Sequence, residues 1–183
     1  MKKGLMFGAA LLAALGFGTA QAGEVDMTGK KVLVAYYSYS GNTKTVAEAI
    51  HAKVGGDLFE IKAEGSYPAE YRPMTEQAKR EIQGGFRPKL TASVPNMEQY
   101  DVVFVGSPNW LGTITPQVSS FLESYDFAGK TVVPFITHGG GGQQRTIVDM
   151  TNQCKSCTVI QNGWHGYGSD TDGLNDWLDK LTK

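Results

Sequence analysis

Residues 32–43 read VLVAYYSYSGNT, and this stretch decides the fold. Its first six residues are apolar or aromatic without a break, as in a strand that is buried on both faces of a parallel sheet. Its last six residues carry hydroxyl and amide side chains around a single glycine. A helical stripe follows, with apolar residues at Val46, Ala47, Ile50 and Val54. A buried strand, a polar turn and an amphipathic helix in this order indicate a parallel sheet with helices on its faces.

The rest of the chain repeats this alternation of strand and helix. One helix has a clear start signal, because Thr115 can cap free amides and Pro116 lies where a missing N–H costs nothing. We therefore predict a three-layer α/β fold with a doubly wound, five-stranded parallel sheet. The strands are predicted at 32–37, 58–61, 102–106, 131–136 and 158–160. The helices after the first are predicted at 75–83, 118–125, after 143 and at 174–181.

The first 22 residues have the composition of a secretory signal peptide. Lys2 and Lys3 precede an apolar run over 5–17, and the small residues Ala20 and Ala22 follow it. We expect residues 1–22 to be removed, which leaves a single domain over 23–183 in the bacterial periplasm. An uncleaved membrane anchor is the alternative, but the apolar run is short for a span.

The charge balance argues against one class of partner. The whole chain has a formal net charge of -1, and it contains no block of basic residues. A protein that binds a nucleic acid backbone needs such a block to displace counterions. We therefore expect no nucleic acid partner and, once the leader is removed, no membrane span.

Three loops should meet, because ligands of an open parallel sheet bind beyond the carboxyl ends of its strands. The first loop, residues 38–43, combines three serine and threonine hydroxyls and an amide with the free N–H groups of a helix start, which together suit a phosphate. An ordinary capping turn is the alternative. Its candidate ligands are Ser38, Tyr39, Ser40, Gly41, Asn42 and Thr43.

The second and third loops suit the rest of a planar ligand. Trp110 is placed to lie on a planar ring, although it could instead cover the end of the sheet. Four glycines after His138 could present bare amides to a polar edge, or could simply form a flexible connection. The candidate residues are Ser107, Pro108, Asn109, Trp110, Leu111 and Gly112 in the second loop and Thr137, His138, Gly139 and Gly140 in the third.

From about Lys31 onward, the order and contents of these elements resemble the flavodoxins and flavodoxin-like proteins. Residues 38–43 are the most specific part, since they resemble the family's loop for the phosphate of flavin mononucleotide (FMN). The resemblance implies non-covalent FMN, with residues 107–112 beside the isoalloxazine ring and 137–140 on its pyrimidine side. It also implies the strand order 2-1-3-4-5 and no long insertion in the last strand.

Cys154 and Cys157 form a C-x-x-C pair just before the last predicted strand. In an oxidising compartment we expect them to form a disulfide. Redox-active pairs usually begin a helix, whereas this pair follows one, which favours a structural role. A dithiol that exchanges electrons with the flavin is the alternative.

Three functions remain open at this level. The first is an FMN-binding electron carrier, and the second is an FMN-dependent reductase of quinones or other small acceptors. The third is a cofactor-free module that binds another phosphorylated ligand. The partners in the first two cases are unidentified redox proteins or small electron acceptors. Histidines at 51, 138 and 165 share no metal-ligand spacing, so no metal site is predicted.

For two groups of aromatic residues, the sequence does not decide whether they lie at the site. Tyr67, Tyr71 and Phe86 belong to the long crossover before residue 100, where they could lie over a site or cover the sheet edge. Residues 164–168 join the last strand to the last helix and could close over the crevice or pack inside.

Overall fold

The computed structural model describes residues 19–21 and 23–182. Strands and helices alternate along the chain, as the sequence predicts. In chain order the elements are β1 (Thr19–Gln21), β2 (Val32–Tyr36), α1 (Asn42–Val54), β3 (Asp57–Glu60), α2 (Tyr71–Gln83), a 3₁₀ turn (Met97–Gln99), β4 (Val102–Pro108), α3 (Pro116–Ser124), β5 (Thr131–His138), α4 (Thr146–Gln153), β6 (Thr158–Ile160), β7 (Trp164–Tyr167) and α5 (Leu174–Leu181).

All strand pairs are parallel, and the sheet order is β1-β6-β5-β4-β2-β3, with β7 also paired to β5. The five predicted strands are β2 to β6, so their order 2-1-3-4-5 is confirmed. Strand β1 is additional. Strand β7 continues the last predicted strand along β5, in residues that the sequence analysis placed in the connection to the last helix. Most of the predicted leader lies outside the described residues, and 19–21 form β1 at the sheet edge. Removal of residues 1–22 would therefore leave β6 without its outer neighbour.

Apolar side chains pack on both faces of the sheet, which gives the three layers. On one face, α1 and α5 cover the sheet, and Val46, Ala47 and Ile50 of α1 are fully buried. On the other face, α3 and α4 do the same, with Phe121 and Met150 fully buried. Within the described residues, no helix is long and apolar enough to cross a membrane.

Several element boundaries differ from the prediction. The structure places Ser107 and Pro108 in β4 and Thr137 and His138 in β5, because the two strands pair up to the register of Pro108 with Thr137. These four residues are therefore strand residues rather than loop residues. Helix α2 begins at Tyr71 rather than at residue 75, since a proline within the first helical turn removes no hydrogen bond.

The last strand is interrupted where β5 cannot donate a hydrogen bond. Strands β6 and β7 pair with the two ends of β5, and residues 161–163 between them leave the ladder. The Lys130 carbonyl oxygen accepts from Thr158 N at 2.9 Å. The backbone N–H and C=O groups of the even-numbered residues of β5 therefore face the last strand. Pro134 belongs to this set and has no N–H. The missing donor therefore coincides with the break.

Gly163→Ala is expected to lower the free energy of unfolding by about 1–3 kcal/mol. Gly163 lies close to Pro134 at the break, and an added Cβ would lie 2.6 Å from the Pro134 carbonyl oxygen. Denaturant unfolding of the protein without added ligand measures the change. Gly139→Ala is the control, because nothing lies within 4 Å of its added Cβ. Equal stability of the two variants would contradict this account of the break.

Candidate functional site

A cleft of about 460 Å³ opens where β2, β4 and β5 end. The three predicted loops converge there, as the parallel sheet requires. Its lining residues are Tyr39, Ser40, Asn42, Thr43, Tyr71, Met74, Thr75, Ala78, Pro108, Asn109, Trp110, Leu111, Thr137, His138, Gly139, Tyr167 and Gly168.

The first loop leads directly into α1 and leaves its N-terminus uncapped. Gly41 precedes the helix with φ 89°, in the left-handed region that favours glycine. No side chain caps this start, so the N–H groups of Asn42, Thr43 and Lys44 have no partner within the helix. These donors and the positive end of the helix dipole suit an anion with several oxygen atoms.

Hydroxyl groups surround this helix start. Ser38 Oγ is buried and has no hydrogen-bond partner within the described residues, but Ser38 does not line the cleft. Thr43 Oγ1 and Thr137 Oγ1 lie 2.8 Å apart, and both side chains are buried. This hydrogen bond joins the first loop to the end of β5.

The second loop is a tight turn that carries Trp110. Trp110 and Thr113 exchange backbone hydrogen bonds of 3.0 and 3.1 Å. Leu111 and Gly112 between them have φ of 56° and 89°, the positive values found at both central positions of a type I′ turn. The turn therefore fixes the backbone of Trp110 at the edge of the cleft.

Asn109 braces the second loop against the third. Its backbone N–H donates to Thr137 O at 2.7 Å, and its side-chain amide donates to Gly142 O at 2.6 Å. Its Oδ1 accepts from Gly112 N at 2.9 Å. One side chain thus hydrogen-bonds to both loops, which keeps their separation constant.

Three tyrosine rings surround Trp110 in edge-to-face contact. The ring centroids of Tyr37, Tyr39 and Tyr67 lie 6.0, 5.8 and 4.8 Å from that of Trp110. We call this group the tyrosine cage. Such pairs are each worth about 0.5–1.5 kcal/mol beyond the area that they bury, so the cage restricts the orientation of the indole ring.

His138 is tied to the glycine loop and to a second histidine. Its Nδ1 accepts from Gly140 N at 3.1 Å, and its Nε2 lies 3.4 Å from Nδ1 of His165. Because Nδ1 accepts a hydrogen bond, the proton of the neutral ring is on Nε2. Burial, and secondly the nearby His165, lower the pKa of His138 below its ordinary value. The neutral form is therefore favoured at neutral pH.

Charge is absent from the cleft wall. None of its lining residues is Asp, Glu, Lys or Arg, and polar contact comes from hydroxyl, amide, imidazole and backbone groups. The described residues also contain no cluster of three or more possible metal ligands. The arrangement therefore suits a ligand with one anionic end, held by N–H and O–H donors, and a largely apolar body.

Five of the predicted site residues do not line the cleft. Ser107 is fully buried, and its Oγ contacts Pro108 O and Thr115 N, so it stabilises the start of α3. Gly112 packs against Gln144, whose Oε1 would lie 2.5 Å from an added Cβ. The five residues are Ser38, Gly41, Ser107, Gly112 and Gly140, and the last donates its N–H to His138.

Six cleft residues were not among the sequence-based candidates. Tyr71 is on α2, 78% exposed, and Tyr167 is on β7, 65% exposed. Both belong to the aromatic groups whose position the sequence left open, and their aromatic character was the available signal. Phe86 and Trp164 of the same groups do not line the cleft. The added lining residues are Tyr71, Met74, Thr75, Ala78, Tyr167 and Gly168.

Cys154 and Cys157 form a disulfide, with their Cα atoms 5.9 Å apart. The pair follows the end of α4 and is buried. It precedes Thr158, which pairs with Thr131 at the end of β5 opposite to the cleft. Thr131 and His138, at the two ends of β5, are seven residues apart, which corresponds to about 23 Å along a strand. This separation argues against direct electron exchange between the cysteines and a group in the cleft.

Comparison with known proteins gives consistent matches. A family model described as flavodoxin matches residues 31–181. The curated relative "NAD(P)H dehydrogenase (quinone)" from Azorhizobium caulinodans is 31% identical over 100 residues. That match covers 51% of this chain and 45% of the relative, so the chain spans about half the length of that protein.

Solved structures match over most of their length. A protein from Bacteroides uniformis named as a flavoprotein is 27% identical, with a TM-score of 0.73 over 82% of this chain and 99% of that one. A flavoprotein from Lactobacillus acidophilus, solved in complex with FMN, is 26% identical, with a TM-score of 0.67. This second match covers 81% of this chain and 98% of that one.

The pKa of His138 should lie below 6.5, the ordinary value for histidine. His165→Gln should raise the pKa of His138 toward that value, because the neighbouring imidazole, the smaller of the two causes after burial, is then absent. NMR titration of the imidazole signals measures both values. Since the folded state disfavours the proton, the contribution of His138 to stability is lost as the pH falls below about 6.5. A pKa of His138 above 6.5 in the unmodified protein would contradict this environment.

Proposed function

The chain belongs to the flavodoxin family, and on that premise we propose that it binds FMN non-covalently in the cleft and carries electrons through it. The observation that carries the proposal is the uncapped start of α1, whose free N–H groups adjoin Ser40, Asn42 and Thr43. A phosphate is an anion that this set of donors suits. The FMN complex of the Lactobacillus acidophilus relative supports the choice of phosphate ligand.

The residues of this chain fit FMN by their own chemistry. Ser40, Asn42 and Thr43 line the cleft beside the free N–H groups of α1 and provide hydroxyl and amide donors for the phosphate oxygens. The apolar side of the cleft includes Trp110, Met74 and Pro108, which suit a planar ring. No lining carboxylate would repel the phosphate. Residues 38–43 would hold the phosphate, and Trp110 and His138 would adjoin the ring.

FMN, when bound, supplies reversible acceptance of one or two electrons. The residues of the chain contribute position and environment. The backbone amides of residues 42–44 bind the phosphate and so fix the depth of the ligand. Trp110, held by its turn and the tyrosine cage, excludes water from one side of the cleft. His138 keeps its proton on Nε2 through the bond from Gly140 N and offers no fixed charge at neutral pH.

An FMN-dependent reductase of quinones or other small acceptors is the second candidate. The apolar rim of the cleft supports it, because Tyr71, Leu111 and Tyr167 are 78%, 58% and 65% exposed there. Exposed apolar side chains around an uncharged cleft are typical of a site for a small, neutral aromatic molecule. The name of the Azorhizobium caulinodans relative points the same way.

FMN should bind saturably and at least about tenfold more tightly than riboflavin, because only FMN carries the phosphate that the start of α1 would hold. Visible absorption titration of the protein from residue 23 onward measures both affinities. Ser40→Ala should weaken FMN binding and leave riboflavin binding unchanged. Trp110→Ala should weaken the binding of both, since it removes an apolar contact with the ring.

Ser93→Ala is the matched control, because Ser93 is exposed and lies outside the cleft. Its affinity for both flavins should equal that of the unmodified protein. If neither flavin binds under any condition, the proposal is wrong and the cofactor-free alternative is favoured. Equal affinity for FMN and riboflavin would contradict the role of the first loop.

The carrier proposal predicts that FMN-loaded protein reduces 1,4-benzoquinone with NADH no faster than free FMN does. A reductase needs a binding site for the acceptor beside the flavin, so it would show saturable turnover. Steady-state assays measure the rate. Saturation with the quinone, and its loss in Tyr71→Ala, would favour the reductase over the carrier.

A further inference from the structure

Trp110 is also contacted from outside the cleft. Of the three rings in the tyrosine cage, Tyr67 approaches most closely, at 4.8 Å between centroids and an interplanar angle of 89°. Tyr67 is not part of the cleft lining. The Tyr67 ring therefore packs against the indole without lining the cleft.

The Tyr67 hydroxyl is held at the centre of a hydrogen-bond network. It donates to a carboxylate oxygen of Glu81 and accepts from Gln117 Nε2 at 3.1 Å. The other oxygen of Glu81 accepts from Gln77 Nε2 at 2.8 Å. The network joins α2 to α3 across the back of Trp110, and Glu81 is its only charged member.

The hydrogen bonds of this network restrict the position of the Tyr67 phenol. Burial, with the bond to Glu81 as a smaller cause, holds the pKa of Tyr67 far above its ordinary value, so the hydroxyl remains protonated and donates. Gln117 is 5% exposed and belongs to α3, which packs in the core. A hydrogen bond to a charged acceptor is stronger than one to a neutral acceptor. Glu81 therefore limits the freedom of Tyr67 more than the other contacts do.

We propose that Glu81 is a positioning residue for the flavin site, which acts through the Tyr67 hydroxyl to fix the ring of Trp110. The side-chain hydrogen bonds described for Glu81 are to Tyr67 and Gln77, and Glu81 does not line the cleft. Its effect passes from carboxylate to phenol by a hydrogen bond, and from phenol to indole by ring contact. The claim about the indole concerns the protein alone, whereas the claim about FMN affinity rests on the proposed function.

Fluorine NMR of protein labelled with 5-fluorotryptophan tests the first claim without any ligand. The chain has three tryptophans, at 110, 164 and 177, and loss of one signal in Trp110→Phe assigns that residue. Glu81→Ala and Tyr67→Phe should each shift or broaden the Trp110 signal and leave the other two in place. The double variant should show no larger change than either single variant, because both remove the same link.

Two further variants separate positioning from general stability. Glu81→Gln should restore the Trp110 signal in large part, since an amide oxygen still accepts from the Tyr67 hydroxyl. Glu76→Ala is the control, because Glu76 is an exposed residue of the same helix and lies outside the cleft. It should leave all three signals unchanged. An unmoved Trp110 signal in Glu81→Ala, or equal shifts of all three signals, would overturn the proposal.

FMN titration of the same variants tests the second claim. Glu81→Ala should raise the dissociation constant about threefold to tenfold, the range expected for loss of one edge-to-face support. Glu81→Gln should recover most of the affinity. A shifted Trp110 signal with unchanged affinity would overturn the role at the flavin site. If no variant and not even the unmodified protein binds FMN, the proposed function fails while the fluorine result still decides the positioning of Trp110.

Discussion

The parallel pairing of β2, β4 and β5 is the constraint on which the cleft depends. Because these strands run in one direction and share one register, their carboxyl ends meet at one edge of the sheet. The loops that follow them are then close enough to bond to each other. The Thr43–Thr137 hydroxyl contact of 2.8 Å joins residues 94 positions apart in the chain. Asn109 adds a second link between neighbouring loops.

Within this frame, the polar chemistry comes from the backbone and from uncharged side chains. A glycine before α1 provides no cap, so the first N–H groups of the helix remain available. The cleft contains neither a cation to neutralise an anion nor a carboxylate to repel one. Binding would therefore depend on directed donors more than on long-range attraction, and should respond weakly to salt. His138 keeps its neutral form by burial and by the proximity of His165.

The sequence predicted those parts of the fold that depend on local pattern. The buried run before Ser38, the glycine at 41 and the tryptophan directly after a strand all carry their signal within a few residues. The contacts of α2 with the cleft could not be predicted in this way, because they depend on how the long crossover folds back. Tyr71 therefore remained ambiguous. The break at Pro134 had a local signal, the missing N–H, but its location also requires knowing which side of β5 faces the last strand.

The contacts behind Trp110 likewise could not be predicted from local sequence pattern. Tyr67 and Glu81 are separated from Trp110 by 43 and 29 positions, and no motif connects them in the sequence. Ser107 illustrates the reverse case, since its position in a predicted loop suggested a ligand contact. In the structure, β4 includes Ser107. Its hydroxyl oxygen accepts from the N–H of Thr115, the residue before α3.

The central claim is that the free amides at the start of α1 bind the FMN phosphate. The most direct measurement is a ¹H–¹⁵N NMR titration of the protein with FMN, riboflavin and inorganic phosphate. We expect FMN to shift the amide signals of Asn42, Thr43 and Lys44 downfield, inorganic phosphate to shift them similarly at higher concentration, and riboflavin to leave them nearly unchanged. FMN binding that leaves these three signals in place, or a riboflavin shift equal to that of FMN, would contradict the account.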